Sequence, residues 1–248
     1  MRLRYLRIAS LMMCLATVPC TVRAQGSGFG VSVKSSVLAA AGDSITVSYI
    51  VRVLPSAHDS LTSFMVDAPG VIRVLMPGAK PEWTVGTRWR LRPVADWGKL
   101  SHLITPGDST PPLQYTAHGM LDVVQYWAEL DAPLDSLITE TPPDSSLSAD
   151  TTVTIKGSKG FTIGVGAMPA DLSSAALTIR LAGLIDRACA LGWIDNRGVC
   201  NSLKAKAEAR SGPLNAMLNE LAAQRGKHVS DDAYLLLLLN ANALLMSL

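Results

Sequence analysis

The chain has 248 residues, 48% of them hydrophobic and 17% charged, which is enough apolar material for a core and too little charge for a disordered chain. Its formal charge of +2 comes from 22 Lys and Arg against 20 Asp and Glu, and four of the arginines (Arg2, Arg4, Arg7 and Arg23) sit in the first 24 residues. Without them 18 basic groups face 20 acidic ones, a net of −2, and no basic stripe remains to recruit nucleic acid.

The N-terminus has the order of a secretory leader. Arg2, Arg4 and Arg7 form a basic start, Ile8 to Val18 is apolar apart from Ser10 and Thr17, and Pro19 breaks any helix. Val22 and Ala24 are the small residues at −3 and −1 that signal peptidase requires, so cleavage is expected near Ala24. The apolar run is too short to span a bilayer. Cys14 follows Met13 and Cys20 follows Pro19, so neither has the small preceding residue that lipidation needs. The expected product is exported, periplasmic or extracellular, with no transmembrane segment after cleavage.

From Gly30 to Gly166 the chain reads as β. Ile45, Val47, Tyr49, Val51 and Val53 alternate with Thr46, Ser48 and Arg52, a period-2 strand with one buried face. Gly42-Asp43 before it is turn chemistry, and Gly30–Val37 is its expected partner. Further strands are predicted at Leu61–Val66, Val71–Leu75, Trp83–Leu91, Leu113–Ala117, Val123–Leu130, Thr151–Ile155 and Phe161–Val165. Turns are predicted at Ala68-Pro69-Gly70, Pro77-Gly78, Pro106-Gly107-Asp108 and Gly157 to Gly160. Short strands with regular Gly/Pro punctuation predict an immunoglobulin-like antiparallel sandwich. Ala132 to Asp150, rich in Pro, Ser, Thr and Asp, is expected to be a mobile surface excursion.

Helices follow. Asp171 or Ser173 caps the first, whose stripe is Leu177, Leu181, Leu184, Ile185 and Ala188, and Gly192 stops it. Asp195 is the predicted cap of the second, which turns Val199, Leu203 and Ala207 inward. Pro213 opens the third, which buries Leu214, Met217, Leu218 and Leu221 and ends at Gly226. Ser230 caps the fourth, with Asp231 and Asp232 at the positive end of the helix dipole. The run Leu235 to Leu239 is short of membrane-spanning length and is interrupted by Asn240 and Asn242, so it predicts a core helix. The predicted layout is a leader over 1–24, a sandwich over 28–168 and a four-helix bundle over 171–248: all-β and all-α parts in separate domains.

The stretch Gly192-Trp193-Ile194-Asp195-Asn196-Arg197-Gly198-Val199-Cys200-Asn201-Ser202-Leu203-Lys204-Ala205-Lys206 resembles the opening of the FIMAH helical domain of bacterial secreted proteins. Leu214 to Leu221 and Gln224 to Ser230 resemble its later part. The resemblance implies an accessory, non-catalytic module and carries no catalytic residue across. Glu208 to Pro213 is shorter than the charged hairpin many members carry. Gly42 to Tyr49 and Leu113 to Gly119 resemble strands of bacterial immunoglobulin-like domains, which implies fold and not function.

Cys189 and Cys200 are the pair left after cleavage, close in sequence and in an oxidising compartment, so a disulfide is expected. A metal site would need further Cys or His ligands, and none is near in sequence. No cofactor is expected. Gly42-Asp43-Ser44-Ile45 has the letters of a GDSL hydrolase block, but Ser44 enters a strand and no downstream Asp-x-x-His exists. His58-Asp59-Ser60 places three triad-like residues side by side in one loop, which rarely converge. His102, His118 and His228 show no ligand spacing. Asp131, Asp135, Asp144 and Asp150 are too irregular for a calcium loop.

The candidate ligand-binding residues are Trp83, Trp89, Arg88, Arg90 and Arg92. Trp83 and Trp89 share a face of a regular strand. Buried, they are core, the reading favoured for the tryptophans; exposed together, they would stack on a carbohydrate or a peptide. The arginines alternate with Trp89 and Leu91 and give that strand a cationic face. The expectation is a non-catalytic binding or interaction module for a protein or carbohydrate ligand. The alternatives are a structural part of an envelope assembly and a hydrolase with a site assembled from scattered residues.

Overall fold

The computed structural model describes residues 30–77, 83–89, 92–99, 103–131, 137–140, 153–209 and 214–248. The predicted leader lies outside the described residues. The strands are β1 (Val31–Ala41), β2 (Ser44–Val53), β3 (Leu61–Asp67), β4 (Val71–Leu75), β5 (Trp83–Trp89), β6 (Arg92–Lys99), β7 (Leu113–His118), β8 (Met120–Leu130), β9 (Leu137–Glu140) and β10 (Val153–Gly166). The helices are α1 (Ser174–Ala190), α2 (Arg197–Glu208), α3 (Leu214–Gln224) and α4 (Asp231–Ser247).

Two antiparallel sheets form, in the orders β1-β2-β7-β4 and β5-β6-β3-β8-β10-β9. The first sheet, and β3-β8-β10 in the second, reproduce the A-B-E-D and C-F-G orders of an immunoglobulin-like sandwich. The hairpin β5–β6 comes after β4 in sequence and extends the second sheet beyond β3. Alternation in β2 works as predicted for Ile45, Val47, Tyr49, Val51 and Val53, which are all buried, while Ile50 and Arg52 face out; Ser48, predicted on the outer face, is buried as well.

Three sequence expectations change. The strand β6, which no predicted strand covers, begins Arg92-Pro93 and delivers Ala95 and Trp97 to the core. A second unforeseen strand, β9, lies inside the expected excursion and pairs Leu137–Glu140 with Val153–Lys156; residues 132–136 and 141–152 are outside the described residues. Gly157 to Gly160 is no turn. β10 runs through it in register with β8, from Gly157 opposite Glu129 to Gly166 opposite Met120. The glycines serve close approach: a Cβ on Gly157 would lie 2.0 Å from the Ala128 carbonyl oxygen, and one on Gly160 2.6 Å from the Tyr126 hydroxyl.

The centre of the sandwich is aromatic. Tyr49, Phe64, Trp97, Tyr115 and Tyr126 pack with ring centroids from 5.6 to 6.3 Å apart. Two of these rings also close a sheet edge. Ile163 and Val165 turn their backbone groups away from β8, because in an antiparallel ladder alternate residues point outward. Tyr49 Oη donates to the Ile163 carbonyl at 2.9 Å, and Val165 N–H donates to Tyr115 Oη at 2.8 Å. The two tyrosines, their rings stacked at 6.1 Å, form a chain of side chains along that edge. Burial pushes the Tyr49 phenol well above its ordinary value and Tyr115 up to about 12, so both stay neutral.

Gly164 makes room for this chain. A Cβ there would lie 2.4 Å from Val124 Cγ2 and 3.0 and 3.1 Å from the two tyrosine hydroxyls. Valine is stiff at χ1 and the rings are fixed on both sides, so the backbone must yield. Gly164→Ala is expected to lower unfolding free energy by about 1–3 kcal/mol. A denaturant midpoint equal to wild type would refute this account of the glycine.

The helices stand where their caps dictate. Ser173 Oγ accepts from Ala176 N–H, while Asp171 orders Ser173 by accepting from its N–H and hydroxyl. The cap of α2 is Asn196, one residue after the predicted Asp195; its Oδ1 accepts from Gly198 and Val199 N–H. Asp195 pairs instead with His228 Nδ1 at 2.8 Å. Ser230 caps α4 as predicted. Gly192 and Gly226 take φ of 70° and 72° at the stops of α1 and α3.

The two interhelical turns that follow these stops are joined to one another. Asp195 N–H donates to the His228 carbonyl and Ser230 N–H to the Trp193 carbonyl, around an Ile194–Val229 bridge. The Cys189–Cys200 disulfide spans the α1–α2 turn with Cα atoms 6.2 Å apart.

The bundle is seated on the sandwich, and one continuous apolar cluster includes residues of both. Leu121 and Val123 oppose Val165 and Ile163, so their carbonyls point to the side where β3 has already ended. Helix side chains take those carbonyls. Arg180 and Asn240 donate to the Leu121 carbonyl at 3.1 and 2.9 Å, and Arg187 to that of Val123 at 2.9 Å. Arg180 and Arg187, two helical turns apart on one side of α1, also converge on the Asp122 carboxylate at 2.9 and 3.0 Å. On the far side of the seat, Ser35 of β1 donates to Asp232 of α4 at 2.6 Å.

Candidate functional site

The predicted binding residues fall on the β5–β6 hairpin, at the end of the six-stranded sheet. Trp83 opens β5 opposite Lys99 and is 6% exposed, within the core cluster. Lys99 Nζ sits 5.4 Å from its ring centroid, close enough for a cation–π contact. Farther along, Arg88 is opposite Pro93 and Trp89 opposite Arg92. Arg90, between the two strands, lies outside the described residues. A register shift separates Gly86–Asp96 from Arg88–Pro93, so β6 carries an extra residue and the hairpin end is re-aimed relative to its base. Trp83 thus belongs to the buried base of the hairpin. Trp89, Arg88 and Arg92 belong to its outer end. Arg73 is exposed on β4, in the other sheet.

The structure adds Asp96 to this hairpin. It pairs with Gly86, and a Cβ on that glycine would come within ordinary contact of it. Burial pushes its carboxyl up from the ordinary range, against the lowering effect of the Ser63 hydroxyl donating at 3.2 Å. Sequence reasoning missed it because the strand that carries it was missed.

One catalytic-looking cluster does assemble. Asp43 and Ser44, adjacent in sequence, meet His118, 74 residues on from Ser44, at the β1–β2 turn. Ser44 Oγ and Asp43 Oδ1 are each 3.1 Å from the histidine. Both contacts fall on Nδ1. A triad needs one ring nitrogen for the carboxylate and the other for the hydroxyl, so this cluster has no relay. His118 and Asp43 are also more than half exposed, where a charge contact is screened. His58, Asp59 and Ser60 lie in the turn between β2 and β3.

Among the described residues no three His, Cys, Asp or Glu side chains are placed to hold a metal ion. Of the acidic stretch only Asp131 is described, and it is exposed; Asp135, Asp144 and Asp150 are outside the described residues. His102 is likewise outside them, and His228 is bound to Asp195. No helix among the described residues is long and apolar enough to cross a membrane.

No family model matches the chain, and no curated protein matches it closely enough to count as a relative. Among solved structures it is similar to an uncharacterized protein from Nocardia farcinica whose crystal structure is described as revealing an immunoglobulin-like fold. The two are 16% identical, with a TM-score of 0.34, over 51% of this chain and 97% of that one. The sandwich described above rests on its own strand order rather than on that likeness.

Proposed function

We propose that this chain is an exported, non-catalytic binding module, in which a FIMAH-like bundle is an accessory seated on an immunoglobulin-like sandwich that carries the ligand. The leader-like N-terminus and the disulfide fit an oxidising, exported setting. The observation that carries the binding reading is the placement of the bundle. The helices engage β8, β10 and β1, and β3 separates β8 from the β5–β6 hairpin in the sheet order. The candidate face is therefore away from the helical seat. Its chemistry, arginines interleaved with Trp89, suits an acidic peptide or a carbohydrate.

The test compares mature wild type with a Trp89→Ala/Arg90→Ala variant in pull-downs from envelope extract, followed by titration of any partner the wild type retains. Tryptophan and arginine anchors cost about 2 kcal/mol or more on truncation, so affinity should drop at least about thirtyfold at an unchanged melting temperature. Equal recovery of every partner by both proteins removes the proposed face.

A structural role in an envelope assembly is the second reading. It is supported by exposed apolar side chains at Met168 and Leu172 before α1, Ile179 within it, and Met246 and Leu248 at the end of α4.

A further inference from the structure

The seat between α4 and β1 is built around a carboxyl group with no cation. Asp232 is in the first turn of α4, and only 3% of it is exposed. Among the described residues its side chain has one hydrogen-bond partner, the buried Ser35 hydroxyl on β1. An acidic residue in the first helical turn normally faces water and gains from the dipole. This one faces the sandwich instead. The groups around it offer no countercharge. From β1 comes a hydroxyl; from β2 comes the neutral Tyr49 phenol, close enough to feel the carboxylate. On its own helix, the neighbouring Asp231 is another acid. Arg225, from the end of α3, is engaged by Asp231 and stacks on Tyr234 at 4.4 Å.

We propose that this contact is a pH-operated latch: α4 seats on β1 while Asp232 carries its proton, and the seat loosens when that proton is lost. Protonated, the carboxyl is a small neutral group that fits an apolar interface. Ionised, it leaves a charge out of water with one hydroxyl donor, which is not enough to hold it. Burial, opposed by the Ser35 hydrogen bond and aided by Asp231, pushes its pKa up to about 7. That places the release inside the range an exported protein meets.

The sign follows from linkage. The folded carboxyl binds its proton more tightly than the unfolded one, so stability is highest in acid, below the ordinary carboxyl pKa. It then falls as pH rises toward about 7 and levels off above. The slope approaches tenfold in the folding constant per pH unit, or roughly a hundredfold between pH 5 and pH 8. Comparison with a variant isolates the contribution of Asp232 to that slope.

The experiment uses the full disulfide-bonded chain and Asp232→Asn, unfolded by denaturant from pH 5 to pH 8, with hydrogen exchange on β1 and the first turn of α4 read in parallel. Wild type should lose most of that hundredfold and show faster exchange in those two segments at pH 8, whereas Asp232→Asn should lack that loss and keep only the pH dependence of the remaining groups, among them the buried Asp96. The same pH slope in both proteins overturns the latch. Should the asparagine variant not fold, wild type alone decides. An infrared carboxylic-acid band that persists at pH 6 and fades toward pH 8, together with faster exchange confined to β1 and α4, supports the proposal. A carboxylate already ionised at pH 5.5 refutes it.

Discussion

Asp122→Ala is expected to lower unfolding free energy by about 3 kcal/mol, the most damaging single change in the helical seat. Asp122 takes both Arg180 and Arg187, and its side chain is only 18% exposed. Removing it leaves the Arg180 guanidinium, 21% exposed, with neutral acceptors alone: the Leu121 carbonyl and Asn240 Oδ1. A cation so placed has lost most of its water and gets too little in return. Arg187 is 48% exposed, so Arg187→Ala should cost only about 1 kcal/mol or less. The two variants should therefore differ clearly in denaturant midpoint. Asp122→Ala should also begin to split the transition, with the helical signal and the aromatic signal parting. Equal midpoints for the two variants, or a cycle with Arg180→Ala that shows no coupling, would show that the seat is held by apolar burial alone.

The second large effect is expected from the disulfide. Cys189 and Cys200 enclose a short loop, with a sequence separation of 11, that contains the whole α1–α2 turn. In the chain-entropy account, opening a loop of that size costs about 3 kcal/mol. The turn also carries Ile194 and Trp193 into the bridge with the α3–α4 turn. Loosening it frees both reversals, not one. Reductant should thus lower the melting temperature by several degrees, in the range of about 2–8 °C per kcal/mol that domains of this size allow. A Cys189→Ala/Cys200→Ala protein should start from the lowered value and ignore reductant. A melting curve of wild type that reductant leaves in place would mean the bundle is held by its other contacts.

Much of this architecture is legible in the amino-acid sequence. Period-2 alternation found β2, because one face of that strand is buried and the other is not. Ser173, Ser230, Gly192 and Gly226 marked helix ends, since caps and left-handed stops are local chemistry. The cysteine pair was readable because its spacing is short. Misreadings had equally local causes. Gly157 and Gly160 look like turn residues in sequence, and their true role depends on Ala128 and Tyr126, 29 and 34 residues earlier in the chain. β6 hides behind a proline and a bulge, and Asp96 disappeared with it. Asp195 and Asn196 are both good caps, and only the pairing of Asp195 with His228 decides between them. The helical seat was invisible. Arg180 and Arg187 stand seven apart on α1, but nothing in the letters says that their acceptors are two carbonyls and a carboxylate in β8. Of the candidate site, the residue types and the strand that opens at Trp83 were readable, and the burial of Trp83 agrees with the core reading favoured for it; the hairpin was not, because its second strand, β6, went unseen.

The unfinished edge of β8 has a consequence for the order in which the molecule is made. Every strand leaves the ribosome before α1 does, so the sheet emerges with the Leu121 and Val123 carbonyls uncovered. Such an edge invites pairing with other chains. Synthesis adds about 5–20 residues per second, so the strands emerge seconds before the helices that follow them, which is time enough for their pairings to form. The interval in which that edge stands open is therefore set by the arrival of α1 and α4 rather than by strand pairing.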